Sequence, residues 1–335
     1  MAGIKGFSKI QLGAESTAGT AVAATTILRG AFAGPDDQRQ VVFPNENIGY
    51  VSGVDRSYVP SLGARLAIPE REATFEQLPY TFAAGIKNVV TGASDGVGTG
   101  KVYAYPFPTT AANTIKTYTI ESGDNQQAEE MEYGFVSEFT LSGQSQGALM
   151  IADTWQGRQW TKASFTGALS APAVEEILFQ KGKLYIDAVD GTLGNTLVSS
   201  TLLGMTLSVR TGWVPNYTGD GELYFTDIEH VQEQMEVLLN VTFRHNASAV
   251  AEKDAWRAQT ARQLRLAFEG SALTAGTTYS KKTLRVDLAG KWERFEPLSD
   301  RDGMMISTGI FRARYNATAN LFANITVVNT LASLT

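Results

Sequence analysis

Residues 131–155 read MEYGFVSEFTLSGQSQGALMIADTW, and residues 304–328, 173 positions on, read MMISTGIFRARYNATANLFANITVV. Each stretch holds two runs rich in β-branched and aromatic residues. Ser142-Gly143-Gln144-Ser145 divides the first pair and Asn316-Ala317-Thr318 the second. That chemistry around a turn predicts a long hairpin. In the first run Met131, Tyr133, Phe135, Phe139 and Leu141 fall on one side, and Glu132, Val136, Glu138 and Thr140 on the other. One face is therefore expected to be buried and the other polar and acidic. The same shift carries the strand-plus-helix segment 66–86 onto 239–259. The agreement is one of order and spacing, which predicts a mainly β chain built from a duplicated unit.

Outward from the first hairpin, Thr74 with Glu76 and Gln77 opens a helix whose Phe75, Leu78, Phe82 and Ile86 share a face. Pro79 is accommodated in its first turn. Upstream, residues 1–30 read as an extended arm or edge strand, and 31–65, studded with Pro, Gly, Asn and Asp, as a long loop. Loops of that length usually carry function. Val41, Phe43, Ile48, Tyr50 and Tyr58 within it are candidate contacts to a neighbouring molecule. In the second half, Pro172 precedes a short helix at 173–178. Strands are expected at Lys183–Asp187, Leu202–Trp213, Glu236–His245, Leu264–Phe268, Thr283–Ala289 and Lys291–Phe295. A helix from 247 to 261 is capped by Asn246 or Ser248. The division into 1–163 and 164–335 follows.

The 335 residues are 43% hydrophobic and 19% charged, enough for two cores of ordinary size and too apolar for a disordered chain. No apolar run reaches the roughly 18–20 residues of a membrane span. The start MAGIKG lacks a signal peptide's apolar stretch, so synthesis and retention in a cytoplasm are expected. Zero cysteines agree with that compartment and remove disulfides, thiolate nucleophiles and cysteine-bound metals. The five Asn-x-Ser/Thr triplets, at Asn216, Asn240, Asn246, Asn316 and Asn324, then carry no glycans. A net charge of −6 disfavours a phosphate-gripping surface and suits a protein that lets DNA pass without adhering.

Catalytic constellations are missing from the sequence. His230 and His245 stand in no metal-binding spacing, and no GxSxG or GxxxxGK[ST] occurs. Tyr217–Glu222 has too few spaced oxygens for a calcium loop. Glu129, Glu130 and Glu132, and the pair Glu175 and Glu176, read as solvated faces. No enzyme, cofactor or metal is expected.

The ordered set of FSKIQLGAESTAGTAV, a long loop, a short strand, TFEQLPYTFAAGI, KTYTIESGDN and a long hairpin resembles the tail tube (major tail) proteins of long, non-contractile-tailed bacteriophages. SAPAVEEIL and KLYIDA in the second half have the same style. The resemblance covers most of the chain through element order and phrase style, with no invariant residue. It implies two tandem antiparallel β-sandwich domains, each with a flanking α-helix and a long hairpin. It implies a virion structural protein whose rings stack into a channel for DNA ejection. Family members commonly carry one domain per chain and six chains per ring, so a duplicated chain is expected to form trimers with pseudo-six-fold symmetry. The implied partners are further copies of itself, a tape-measure protein, and tail-tip and terminator proteins. DNA passes without specific binding, and no membrane is involved. Glu132 and Glu138 are the candidate lumen-facing residues. Alternatives from the residues alone are a two-domain β-sandwich binding module of an adsorption device and a hydrolase using two carboxylates.

Overall fold

Alternating Val, Ile, Leu and aromatic residues with Thr and Ser lead most of this chain into strands. The structure, a computed structural model, describes residues 2–30 and 32–334. Met1, Ala31 and Thr335 (the first residues of the expected arm and loop, and the last of the second half) lie outside the described residues.

The first half runs β1 (Lys9–Ala14), β2 (Thr26–Leu28), β3 (Asp36–Asp37), β4 (Ala64–Glu72), helix α1 (Leu78–Gly85), β5 (Ala93–Ser94), β6 (Lys101–Pro106), β7 (Tyr118–Gly123), β8 (Ala128–Gln144), β9 (Met150–Gly157) and β10 (Trp160–Ala163). The second runs β11 (Gly182–Ala188), β12 (Leu202–Asn216), β13 (Asp227–Arg244), helix α2 (Ala247–Arg257), β14 (Arg262–Ala272), β15 (Lys281–Phe295), β16 (Ser299–Arg301), β17 (Met304–Ala313) and β18 (Ala323–Asn329). The fold is mainly β, with every pairing between these strands antiparallel.

Two long strands organise the layers. The start of β8 pairs with β7 and β10, and its remainder with β9 and β12. Likewise β15 pairs first with β14 and β18, then with β17. Register shifts near Tyr133 and Ser137 bend β8 between these sets of neighbours. Tyr133 itself has φ +59°, and its N–H donates to the buried carboxylate of Glu15. The bulges also break the expected alternation: Val136 is fully buried beside Phe139 and Leu141, instead of sharing the face of Glu138.

The first hairpin forms as β8–β9, with its turn at 145–147, about three residues later than expected. The second does not form. β17 and β18 leave each other unpaired and lie end to end along one side of β15, β17 on 290–295 and β18 on 283–288. The 283–289 and 291–295 strands are thus a single element. The row Asp36–Arg65–Gln156–Phe135 across β3, β4, β9 and β8 has a counterpart in Ser208–Leu238–Arg312–Lys291 across β12, β13, β17 and β15. The offsets are 172, 173, 156 and 156 residues. The offset falls because residues 86–117, which include β5 and β6, correspond to only 258–261 after α2, a deficit partly made up by the longer β14–β15 hairpin.

Other expectations change with packing. α1 begins at Leu78, and all eight of its residues are buried, so it is an interior helix and not a flanking one. Thr81 Oγ1 donates to Asp153, Trp213 Nε1 to Gly85 O, and Tyr105 Oη to Pro79 O. α2 does lie on the flank, capped by Asn246, whose Oδ1 accepts from Ala249 N–H; it ends at Arg257, short of 261. Residues 173–178 are extended and not helical: Ile177 is buried, with its N–H on Ala73 O and its carbonyl taken by Leu149 N–H. The N-terminal stretch is no free arm, since β1 sits between β2 and β7 with Ile10 and Leu12 buried. One hydrophobic cluster runs from Ile10 to Leu334 through both halves.

Candidate assembly surfaces

Following the pairings edge to edge, β3, β4, β9, β8, β12, β13, β17 and the end of β15 form one unbroken run of eight strands. The step from the first half to the second is β8 on β12, with Glu138 opposite Arg210 and Gln144 opposite Gly204. On the core side lie Leu66, Phe139, Leu141, Leu207, Val209, Leu239, Val241 and Phe311. The other side is open and polar, with Thr140, Ser142, Thr206, Ser208, Asn240, Thr242 and Thr308 partly exposed.

A charged row crosses that open side. Glu138 faces Arg210, and Arg210 faces Glu236. Glu236 and Glu293 both pair with Arg312, the second at 2.6 Å. The hydrogen bond from Arg312 holds Glu293 below the usual carboxylate range, and the bonds to Glu293 and Glu236 push Arg312 upward. Signs alternate along the row, so the expected acidic stripe is a near-neutral ladder. Glu138 stands in it and accepts from Thr154 Oγ1 at 3.3 Å. Glu132 does not. It lies with Tyr133 in the first β8 bulge, is half-buried, and accepts from Gln159 Nε2 at 3.1 Å; burial pushes its carboxyl up.

The segment 31–65, apart from Ala31, is a ribbon and not a bare loop. Gln38 N–H donates to Gly63 O, Gln40 N–H to Ser61 O, and Val42 and Tyr58 exchange both backbone bonds. Its tip spans 43–57. Val41, Phe43, Ile48, Tyr50, Val51 and Tyr58 are all exposed, Tyr50 at 71%. Their charged neighbours neutralise one another: Asp37 pairs with Arg39, Glu46 with Arg56, and Asp36 approaches Arg65. Six large apolar side chains thus stand exposed on the ribbon and its tip.

The ribbon's root is set by the second half. Leu62 N–H donates to Leu223 O, and Tyr217 Oη to Leu62 O, from the β12–β13 turn. Arg158 lies against the Tyr133 and Tyr224 rings at 4.8 and 4.9 Å and donates to Phe225 O and Thr226 O. Neither edge contact was signalled by local sequence, because both arise from partners more than 65 residues away.

Among the described residues no group of three or more His, Asp or Glu is placed to hold a metal. His230 Nε2 sits 3.1 Å from Thr211 O beside the Trp213 ring, and burial lowers its pKa. A cleft of about 510 Å³ lies on the open face between Arg65, Glu138, Arg210 and Trp213. A second, of about 580 Å³, lies between the ribbon root and the β12–β13 turn; of its rings Tyr217 is exposed and Phe225 buried. The chain matches no family model and no curated protein.

Proposed function

We propose that this chain is the subunit of a phage tail tube, two tandem tube domains that assemble as stacked trimeric rings. One observation carries the reading. The unbroken sheet consists of a four-strand set, β3–β4–β9–β8, followed by a second set, β12–β13–β17–β15, in the same order and register. A sheet that repeats by translation around its edge, with both ends unpaired, continues naturally into further copies. Three copies supply twenty-four strands, and a barrel that wide leaves a water-filled lumen in place of a packed core. The polar side would line it, and the buried side would back onto α1 and the outer strands.

Stacking falls to the ribbon, whose apolar tip projects beyond the sheet. DNA and a tape-measure protein would occupy the lumen in turn, with tip and terminator proteins closing the ends of a virion tail. No active site is part of this reading. The test is negative-stain electron microscopy of concentrated protein. Hollow tubes with three-fold end-on symmetry and a six-fold modulation are expected. Discrete particles under every condition, including added tail-tip complex, would rule the tube out.

A further inference from the structure

The register repeat carries one step beyond the tube reading, on which it rests. Within the chain, the last strand of the first set pairs with the first strand of the second, β8 on β12. The matching strands at the chain's two ends are β15 and β3, and neither has that partner. Glu138 corresponds to Arg294, since Glu138 opposite Thr154 repeats as Arg294 opposite Ile310, 156 residues on. Arg210 corresponds to Gln38, because Asp36 opposite Arg65 repeats as Ser208 opposite Leu238. We infer that the internal β8–β12 junction is the template for a short seam between copies, with Arg294–Glu296 of one copy antiparallel to Asp36–Gln38 of the next, Arg294 opposite Gln38, Phe295 opposite Asp37 and Glu296 opposite Asp36.

Two details beyond the register fit. The junction starts at Glu138 because the preceding carbonyl, Ser137 O, is taken by the Thr211 hydroxyl at 2.9 Å. The equivalent carbonyl, Glu293 O, is taken by Trp256 Nε1 at 3.0 Å. Both edges are therefore closed up to the same position and open just after it, until Pro297 and Pro35, which have no N–H to donate, end the pairing. Arg294, Asp36 and Gln38 are exposed and Glu296 partly so. Asp36 and Glu296 would face each other, and each already has an arginine of its own chain nearby, Arg65 and Arg294.

The chain has no cysteine, so engineered pairs report without background. Directly opposed residues in antiparallel strands have Cα atoms about 4.5–5.5 Å apart, within disulfide reach. The chain carrying Q38C and R294C, oxidised after assembly, is expected to convert to covalent trimers on a non-reducing gel. D36C with E296C should do the same, and each single variant should remain uncrosslinked. If both double variants form tubes by microscopy yet stay monomeric on the gel, the seam is wrong and the tube reading stands. If neither they nor the unmodified chain polymerises, the tube reading fails and takes the seam with it.

Discussion

Asp153 is wholly buried in β9, and its charge is met from two elements. Arg71 of β4 donates both terminal nitrogens, at 3.0 and 2.7 Å, and Thr81 of α1 adds its hydroxyl at 2.7 Å. A carboxylate so placed fixes the interior helix against the strand pair, and every polar atom in the contact matters because water cannot replace a lost partner. Removing one member of a buried pair leaves the other charge unmatched. Asp153→Ala is therefore expected to cost about 3–5 kcal/mol, read as a lower urea midpoint with an unchanged slope. An unchanged midpoint would show that the triad is not holding α1. In the sequence these residues were invisible as a unit. Arg71 and Asp153 are 82 positions apart, and each reads alone as an ordinary charge on a strand.

At the level of elements, the strands were legible where alternation was intact, as in β12, β18 and the 236–244 part of β13, whereas Asp227–Met235, the first half of β13, was not read as strand. What failed was pairing. A single shift of 173 residues matched β4 and α1 to β13 and α2, but it also placed β17–β18 opposite β8–β9, whose register counterparts are β15 and β17. The 258–261 connection, shorter than 86–117, changes the offset, and periodicity within a strand cannot register that. The ribbon was legible by composition, since Phe43, Ile48 and Tyr50 among turn residues have no business in a solvated loop. Its backbone pairing was not, because Val42 and Tyr58 meet across sixteen residues. Under the tube reading these side chains hold successive rings. F43S with Y50S is expected to abolish polymer by light scattering while the thermal midpoint of the monomer stays within about 0.5 kcal/mol of the parent, as for other exposed positions. A variant that still polymerises would remove the ribbon from the axial contact.

For the whole molecule, the tube reading would send a polyanion past the open side of the sheet. Alternation in residues 131–141 put Glu132 and Glu138 on an acidic face and led to an acidic lining, but the pattern of one strand does not say which charges lie beside it. The strands order Glu138, Arg210, Glu236, Arg312 and Glu293 with alternating sign. Strands lie about 4.8 Å apart, so each charge has an opposite neighbour closer than the roughly 8 Å screening length at physiological salt. The field of such a row cancels within a few ångströms of the surface. A passing duplex would then meet hydroxyls, amides and paired charges, with neither attraction to arrest it nor strong repulsion. Converting Glu138 and Glu236 to lysine gives the row four positive residues and one negative. Assembled E138K/E236K protein is expected to retain double-stranded DNA in a filter assay at moderate salt, and to release it steeply as salt rises, because each neutralised phosphate contributes a slope near −0.9. Unmodified assemblies should retain none under the same conditions. Equal retention by both would mean that the open side of this sheet is not the surface DNA encounters, and that the lumen is lined by something else.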